Sequence, residues 1–239
     1  MKTTDSKQPM NPAAAETKEV LYDRWVNEVC DFLKEVGPKL DRCCSAMQSR
    51  PVLDKSPEVV FLGYNAHESD SFYIDKHRFI DGNPSFYEGD GKNRMLWKIW
   101  AKPYHAMEHI GFTRPMEDGN YVFMNAVYFG SSSIKQLQKI PGSRDAIARC
   151  MQFTEEVIAK IFRPKTVVCF SVGSVFEPFV RQCGIRDVER IVVHGKNGVK
   201  RGKWGDITVI GIPHPAARGL TNNDWDAFAL FIKQELETK

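Results

Sequence analysis

No apolar run in the 239 residues approaches the ~18 that a membrane-spanning helix needs. The opening stretch MKTTDSKQPMNPAAAETKE lacks the apolar core of a secretory leader. Both absences lead to the expectation of a cytoplasmic protein with no membrane partner. The six cysteines (Cys30, Cys43, Cys44, Cys150, Cys169, Cys183) form no C-x-x-C pair, so neither a zinc ribbon nor an iron–sulfur cluster is spelled out. They read as reduced thiols. A phosphate-binding P-loop and a G-x-S-x-G elbow are also missing, which lowers the nucleoside-triphosphatase and ester-hydrolase readings. Neither sign of charge dominates: 33 Lys and Arg against 30 Asp and Glu leave a net +3, which permits an acidic partner without requiring one. Hydrophobic residues at 42% and charged residues at 26% sit near globular averages, so a collagen-like or largely disordered chain is excluded.

Residues 1–16 mix Lys, Ser, Thr, Pro and Ala without periodicity and read as a mobile arm. With no internal repeat and no long linker, residues 17–239 are expected to form one domain. From Thr17 to Val36 the apolar positions Val20, Leu21, Trp25, Val29, Phe32, Leu33 and Val36 recur at helical spacing, and Gly37-Pro38 is expected to end that helix. Four runs are apolar on both faces and read as buried strands: EVVFLGYN from Glu58, YVFMNAVYF from Tyr121, KTVVCFSVG from Lys165 and ITVIGIPHP from Ile207. Helical patterns separate them, with the weakest signals over Ser174 to Val193. The fold class expected from this alternation is α/β, a three-layer α/β/α sandwich around a mostly parallel four-stranded sheet.

Open α/β sheets bind ligands beyond the carboxyl ends of their strands. The four ends here carry Asn65, Asn125, Ser171 with Gly173, and His214. Asn caps helices and a lone His often has only a packing role, but four polar groups at one rim point to a site.

These segments resemble the uracil-DNA glycosylase superfamily. VFLGYNAHE looks like its first motif, NRMLWKIW is similar to the Asn-Arg-aromatic helix start that follows in several branches, and FMNAVYF resembles the strand whose Asn reads the base edge. RPKTVVCFSVGSVF looks like its hRPkhhhhLGxxA strand and turn, and IGIPHPAARG resembles its final HPS motif. The match runs from about Pro57 to Leu236 in the right order. It implies that Asn65 orients the attacking water, that His214 stands beside the departing base and that Asn125 pairs with the edge of a flipped pyrimidine. It further implies that Phe72, Tyr73 or Phe86 stacks on the base. The loop after His214, with Arg218 or Leu220, would fill the gap in the duplex, while Ser171, Lys200 and Arg201 are candidate DNA contacts. No lysine occupies a motif position, so hydrolysis rather than Schiff-base lyase chemistry is expected, by a monomer acting on DNA without metal or organic cofactor.

The first motif departs from the family where Pro and an aromatic or Gly normally follow. Here Ala66, His67, Glu68, Ser69 and Asp70 stand instead. Without the aromatic that excludes 5-substituents, a bulkier base can enter, and carboxylates suit sugar or alkyl hydroxyls. Uracil is the default substrate. A glucosylated hydroxymethylcytosine of phage DNA is the rival, which would imply defence rather than repair. Two further readings compete. His105, Glu108 and His109 follow the H-x-x-E-H order of a zinc peptidase, with Glu177 the nearby third ligand. An inactive DNA-binding relative is the other.

Overall fold

In a computed structural model the described residues are 16–67, 70–87 and 98–238. Nearly all of the expected N-terminal arm, the segment from Asn93 to Trp97 and the candidate Glu68 lie outside them. The strands are β1 (Cys43–Cys44), β2 (Val59–Gly63), β3 (Tyr73–Ile74), β4 (Tyr121–Asn125), β5 (Thr166–Phe170), β6 (Arg186–His194), β7 (Asn197–Trp204) and β8 (Ile207–Ile212). The helices are α1 (Lys18–Leu40), α2 (His77–Asp81), α3 (Pro84–Tyr87), α4 (Lys98–His109), α5 (Arg114–Glu117), α6 (Ile134–Lys139), α7 (Ser143–Glu156), α8 (Glu177–Cys183) and α9 (Asn222–Glu237). A π-helical turn over Val157–Phe162 prolongs α7, and another over Val172–Phe176 leads into α8. None of the described helices is long and apolar enough to cross a membrane.

The four expected strands form the parallel part of the sheet, in the order β4-β2-β5-β8. The sheet itself has six strands, because β7 pairs antiparallel with β8 and β6 antiparallel with β7. The four-stranded expectation is therefore corrected. Only Glu177–Cys183 of the stretch expected to be helical continues as an α-helix after the π-turn; Gly184 in the left-handed region (φ 62°) ends it, and a β-branched run Ile191-Val192-Val193 enters an edge strand. Gly195, at φ 53°, turns that strand back into β7.

Alternation along the parallel strands divides the interior in two, since successive side chains point to opposite faces. Val60 and Leu62 of β2, Val122 and Met124 of β4 and Val167 and Cys169 of β5 pack with Trp25, Val29, Leu33, Phe153, Ile158 and Phe179 of α1, α7, its π-helical extension and α8. Val59, Phe61, Phe123, Val168, Phe170 and Ile210 pack with Trp100, Met107, Trp225, Phe228 and Ile232 of α4 and α9. Three layers result, with strands buried on both faces.

Helix α1 passes through Gly37-Pro38 and ends at Asp41, whose φ is 48°. Pro38 lies in the last turn, where its missing N–H removes only one ladder bond. Gly37 has a packing role: a Cβ there would come within 2.3 Å of the Phe72 ring. Beyond the helix, Cys43–Ser49 runs along the outer edge of β4, with the amides of Ser45, Gln48 and Asn125 bonded to the carbonyls of Tyr128, Phe123 and Ala46. This segment covers an edge that would otherwise be open to pairing.

Candidate active site at the carboxyl edge of the sheet

The chain passes from β2 to β4 on one side, then crosses to β5 and β8 on the other, so the sheet has a topological switch point between β2 and β5. Asn65 lies two residues beyond β2, Ser171 immediately beyond β5 and His214 two residues beyond β8. With strands spaced ~4.8 Å apart, the strands leading to Asn65 and His214 are about 10 Å apart.

Asn65 is held by a continuation of the β2–β4 pairing past the strand ends. Ala126 N–H donates to Gly63 O (2.8 Å), Val127 N–H to Tyr64 O (2.7 Å) and Ser131 N–H to Ala66 O (3.1 Å). Its side-chain Nδ2 donates to Phe129 O at 2.9 Å and to Ser131 Oγ at 2.8 Å. Ser131 Oγ in turn donates to Ser133 O at 3.0 Å. A carbonyl only accepts, so the contact with Phe129 O determines which way the amide faces. Both amide hydrogens are engaged, and Oδ1 is left without a hydrogen-bond partner among the described residues. Ser131, nearly fully buried, is a site residue that sequence reasoning missed. Its pairing with Asn65 spans 66 positions of chain and has no local signal.

His214 Nδ1 accepts the N–H of Ala216 at 3.1 Å, and its carbonyl accepts the N–H of Ala217 at 2.7 Å. An accepting Nδ1 requires the tautomer with hydrogen on Nε2. Partial withdrawal of the ring from water also lowers its pKa below the ordinary histidine value, which favours the neutral form. With Nδ1 accepting, Nε2–H is the donor that the neutral ring presents.

Ser171 has φ 126° and ψ 120°, a conformation that costs a non-glycine residue on the order of 1–3 kcal/mol. Its N–H donates to Ile212 O at 3.1 Å and its Oγ caps Ser174 N–H at 3.2 Å. The strained turn joins the ends of β5 and β8 at the switch point.

Asn125 is only 3% exposed. Its Nδ2 donates to Ser45 O at 3.1 Å, and its Oδ1 lies so near Gly63 that a Cβ there would meet it at 3.2 Å. The residue therefore ties the Cys43–Ser49 segment to the end of the sheet, leaving one amide hydrogen for any other partner.

The other candidates divide. Phe86 belongs to the core, with its ring 5.8 Å from Phe123 and 6.1 Å from Trp100. Phe72 is half-buried, with its ring packed on Gly37 of α1. Tyr73 is the exposed aromatic of the three, at 53%, with the Arg78 guanidinium 5.8 Å from its ring centroid. His67 and Asp70 are exposed beside it in sequence. Lys200 pairs with Glu177 at 2.8 Å, and Arg201 pairs with Glu189 and Glu235. Both cations thus have carboxylate partners within the fold. Arg218 is exposed, whereas Leu220 is half-buried against the α4/α9 core.

The zinc-peptidase residues do not assemble. His105 faces Glu108 at 3.5 Å, His109 pairs with Asp226 at 2.8 Å, and Glu177 is engaged with Lys200. Among the described residues no three His, Cys, Asp or Glu side chains are placed to hold a metal ion. A cavity of about 440 Å³ lies between α4 and α9, lined by Lys102, His105, His109, Asn223, Trp225 and Asp226. No protein-family model matches the chain, and no curated protein matches it in sequence.

Proposed function

We propose that the chain is a monofunctional DNA glycosylase of the uracil-DNA glycosylase type, hydrolysing the N-glycosidic bond of a flipped-out pyrimidine and leaving an abasic site. The observation that carries this reading is the placement of Asn65 two residues beyond β2 and His214 two residues beyond β8, at one edge of the sheet on either side of β5, with Asn65 Nδ2 engaged and His214 Nδ1 accepting. Glycosidic cleavage through an oxocarbenium-like state needs a placed water and a stabilised leaving group. Asn65 Oδ1 holds the water as acceptor; an amide has no useful basicity, so attack follows C–N cleavage, and once the new C–O bond has formed the water's proton passes to the departed base anion, which leaves as the neutral base. His214 Nε2–H donates to the base carbonyl oxygen as negative charge gathers there, which favours departure of the anion. The base is bordered by Asn125 and by Tyr73, the exposed aromatic. Arg218 fills or braces the vacated stack, and the protein acts as a monomer on DNA.

Substrate follows from the segment after Asn65. Ala66 and His67 replace the Pro-aromatic element that shuts out 5-substituents, and Asp70 adds an exposed carboxylate beside an exposed imidazole. A 5-modified cytosine bearing a sugar supplies hydroxyls for these groups; uracil supplies none. Duplexes carrying uracil, 5-hydroxymethylcytosine or its glucosylated form, incubated with the protein and then cleaved in alkali, test the reading. Strand scission at one of these bases is the expected result. Intact strands with all three contradict it.

A further inference from the structure

A polar cluster outside the row of strand ends surrounds the buried Asp224. This residue is 3% exposed, and its carboxylate accepts four hydrogen bonds. Oδ1 takes His194 Nδ1–H at 2.7 Å and Asn197 Nδ2–H at 2.8 Å. Oδ2 takes the backbone N–H and the hydroxyl of Thr221, each at 2.7 Å. Thr221 and Asp224 form a capping box at the start of α9, and that half of the cluster is an ordinary helix start. The other half is not local: His194 and Asn197 flank the turn between β6 and β7, 30 and 27 positions away.

The cluster's place in the chain gives it a consequence. Residues 213–220 span from the end of β8 to Thr221 and carry both His214 and Arg218. At one end the backbone turns around His214 through the Ala216 and Ala217 amides. At the other end Thr221 is tied through Asp224 to the β6–β7 turn. A loop between two fixed ends loses little further conformational freedom on binding, which is the physical content of preorganisation. A buried carboxylate deprived of a donor is costly, so the loop's far anchor depends on the His194 and Asn197 donors remaining in place.

We infer that His194, Asn197 and Asp224 act as a clamp that positions the 213–220 loop for insertion into DNA, making the β6–β7 turn its lateral brace. They are positioning residues that touch neither base nor sugar. The functional half of this inference rests on the glycosylase reading; the clamp itself does not.

The experiment pairs hydrogen–deuterium exchange with equilibrium binding to a duplex containing a tetrahydrofuran abasic site. His194→Leu removes the donor. His194→Asn returns an N–H close to the position of Nδ1, and Asn197→Ala probes the second donor independently. The expected result is at least tenfold faster exchange confined to the amides of residues 216–221 in His194→Leu, with an intermediate rise in Asn197→Ala. Duplex affinity falls about tenfold in His194→Leu, and His194→Asn restores both readouts. Exchange at wild-type rates in both His194→Leu and Asn197→Ala overturns the clamp. Faster exchange with unchanged duplex affinity overturns its role in binding. Should the wild-type protein neither bind the abasic duplex nor excise any base, the glycosylase reading falls, while exchange alone still decides whether the clamp exists.

Discussion

The side-chain nitrogen of Asn65 lies 2.8 Å from the hydroxyl of Ser131, a residue that itself donates to Ser133 O. Through this relay the chain after β4 dictates the direction of an amide carried by the chain after β2. Asn65→Ala removes the water's anchor and is expected to lower single-turnover excision by about 100-fold, the size of effect seen when a single preorganised polar group is lost. Ser131→Ala keeps the anchor and its Phe129 O contact but loosens the amide's orientation by removing the second hydrogen bond, with an expected loss of about tenfold. Equal rates for Ser131→Ala and wild type would show that orientation of the amide is not limiting.

His214 gives a pH signature. Its folded-state pKa lies below the ordinary value of ~6.5 because the ring is partly withdrawn from water. Protonation requires Nδ1 to give up the Ala216 N–H, so the neutral donor is the form held by the loop. For a histidine whose pKa is depressed on folding, stability falls as pH drops through the unfolded value toward the folded one. The single-turnover rate is expected to be flat from pH 8 down to about 6.5 and to fall only below that. His214→Ala is expected to lose about 100-fold on the plateau above about pH 6.5, with the gap narrowing as the wild-type rate falls below it. A wild-type rate that rises on acidification would assign the donor role to imidazolium instead.

Backbone strain at Ser171 separates two substitutions. Ser171→Gly relieves an unfavourable φ of 126° and loses little capping, since Gly serves almost as well at such a position. Ser171→Ala keeps the strain and loses the bond to Ser174 N–H. In urea unfolding, Gly is expected to be neutral or stabilising by about 1 kcal/mol and Ala destabilising by about 1 kcal/mol. The reverse order would remove strain from the description of this turn.

Two cations of the β6–β7 hairpin, Lys200 and Arg201, are paired with carboxylates within the fold. Lys200→Ala is expected to leave the salt dependence of duplex binding unchanged, because its partner is Glu177. Arg218→Ala is expected to reduce the slope of log K against log salt by about one, the value for one phosphate contact. Equal slopes for Arg218→Ala and wild type would place the loop away from the DNA backbone.

The parallel strands were legible because each is apolar on both faces, and the rim residues followed from where those strands end. Edge strand β6 was not legible. It is mostly exposed, so its sequence carries neither a buried run nor clean alternation, and its pairing depends on a turn at Gly195. Gly37-Pro38 reads as a stop, yet the Phe72 ring requires the missing Cβ and α1 continues past it. Lys200 and Arg201 look like a basic patch in sequence because Glu177, Glu189 and Glu235 meet them only in the fold. The cluster at Asp224 was not legible, because His194 and Asn197 meet it only in the fold, 30 and 27 positions away.

The central claim is that Asn65 and His214 act on one glycosidic bond from opposite sides of the switch point. It is tested most directly by single-turnover release of free base from duplexes containing uracil or glucosylated 5-hydroxymethylcytosine, comparing wild type with Asn65→Ala, His214→Ala and the double variant, all shown to be folded. The account predicts release by wild type from one of the two duplexes, and loss of at least 100-fold in each single variant. The double variant should lose less than the product of the two, since both groups serve the same transition state. Release at wild-type rates by either single variant, or no release by wild type from any duplex, would contradict it.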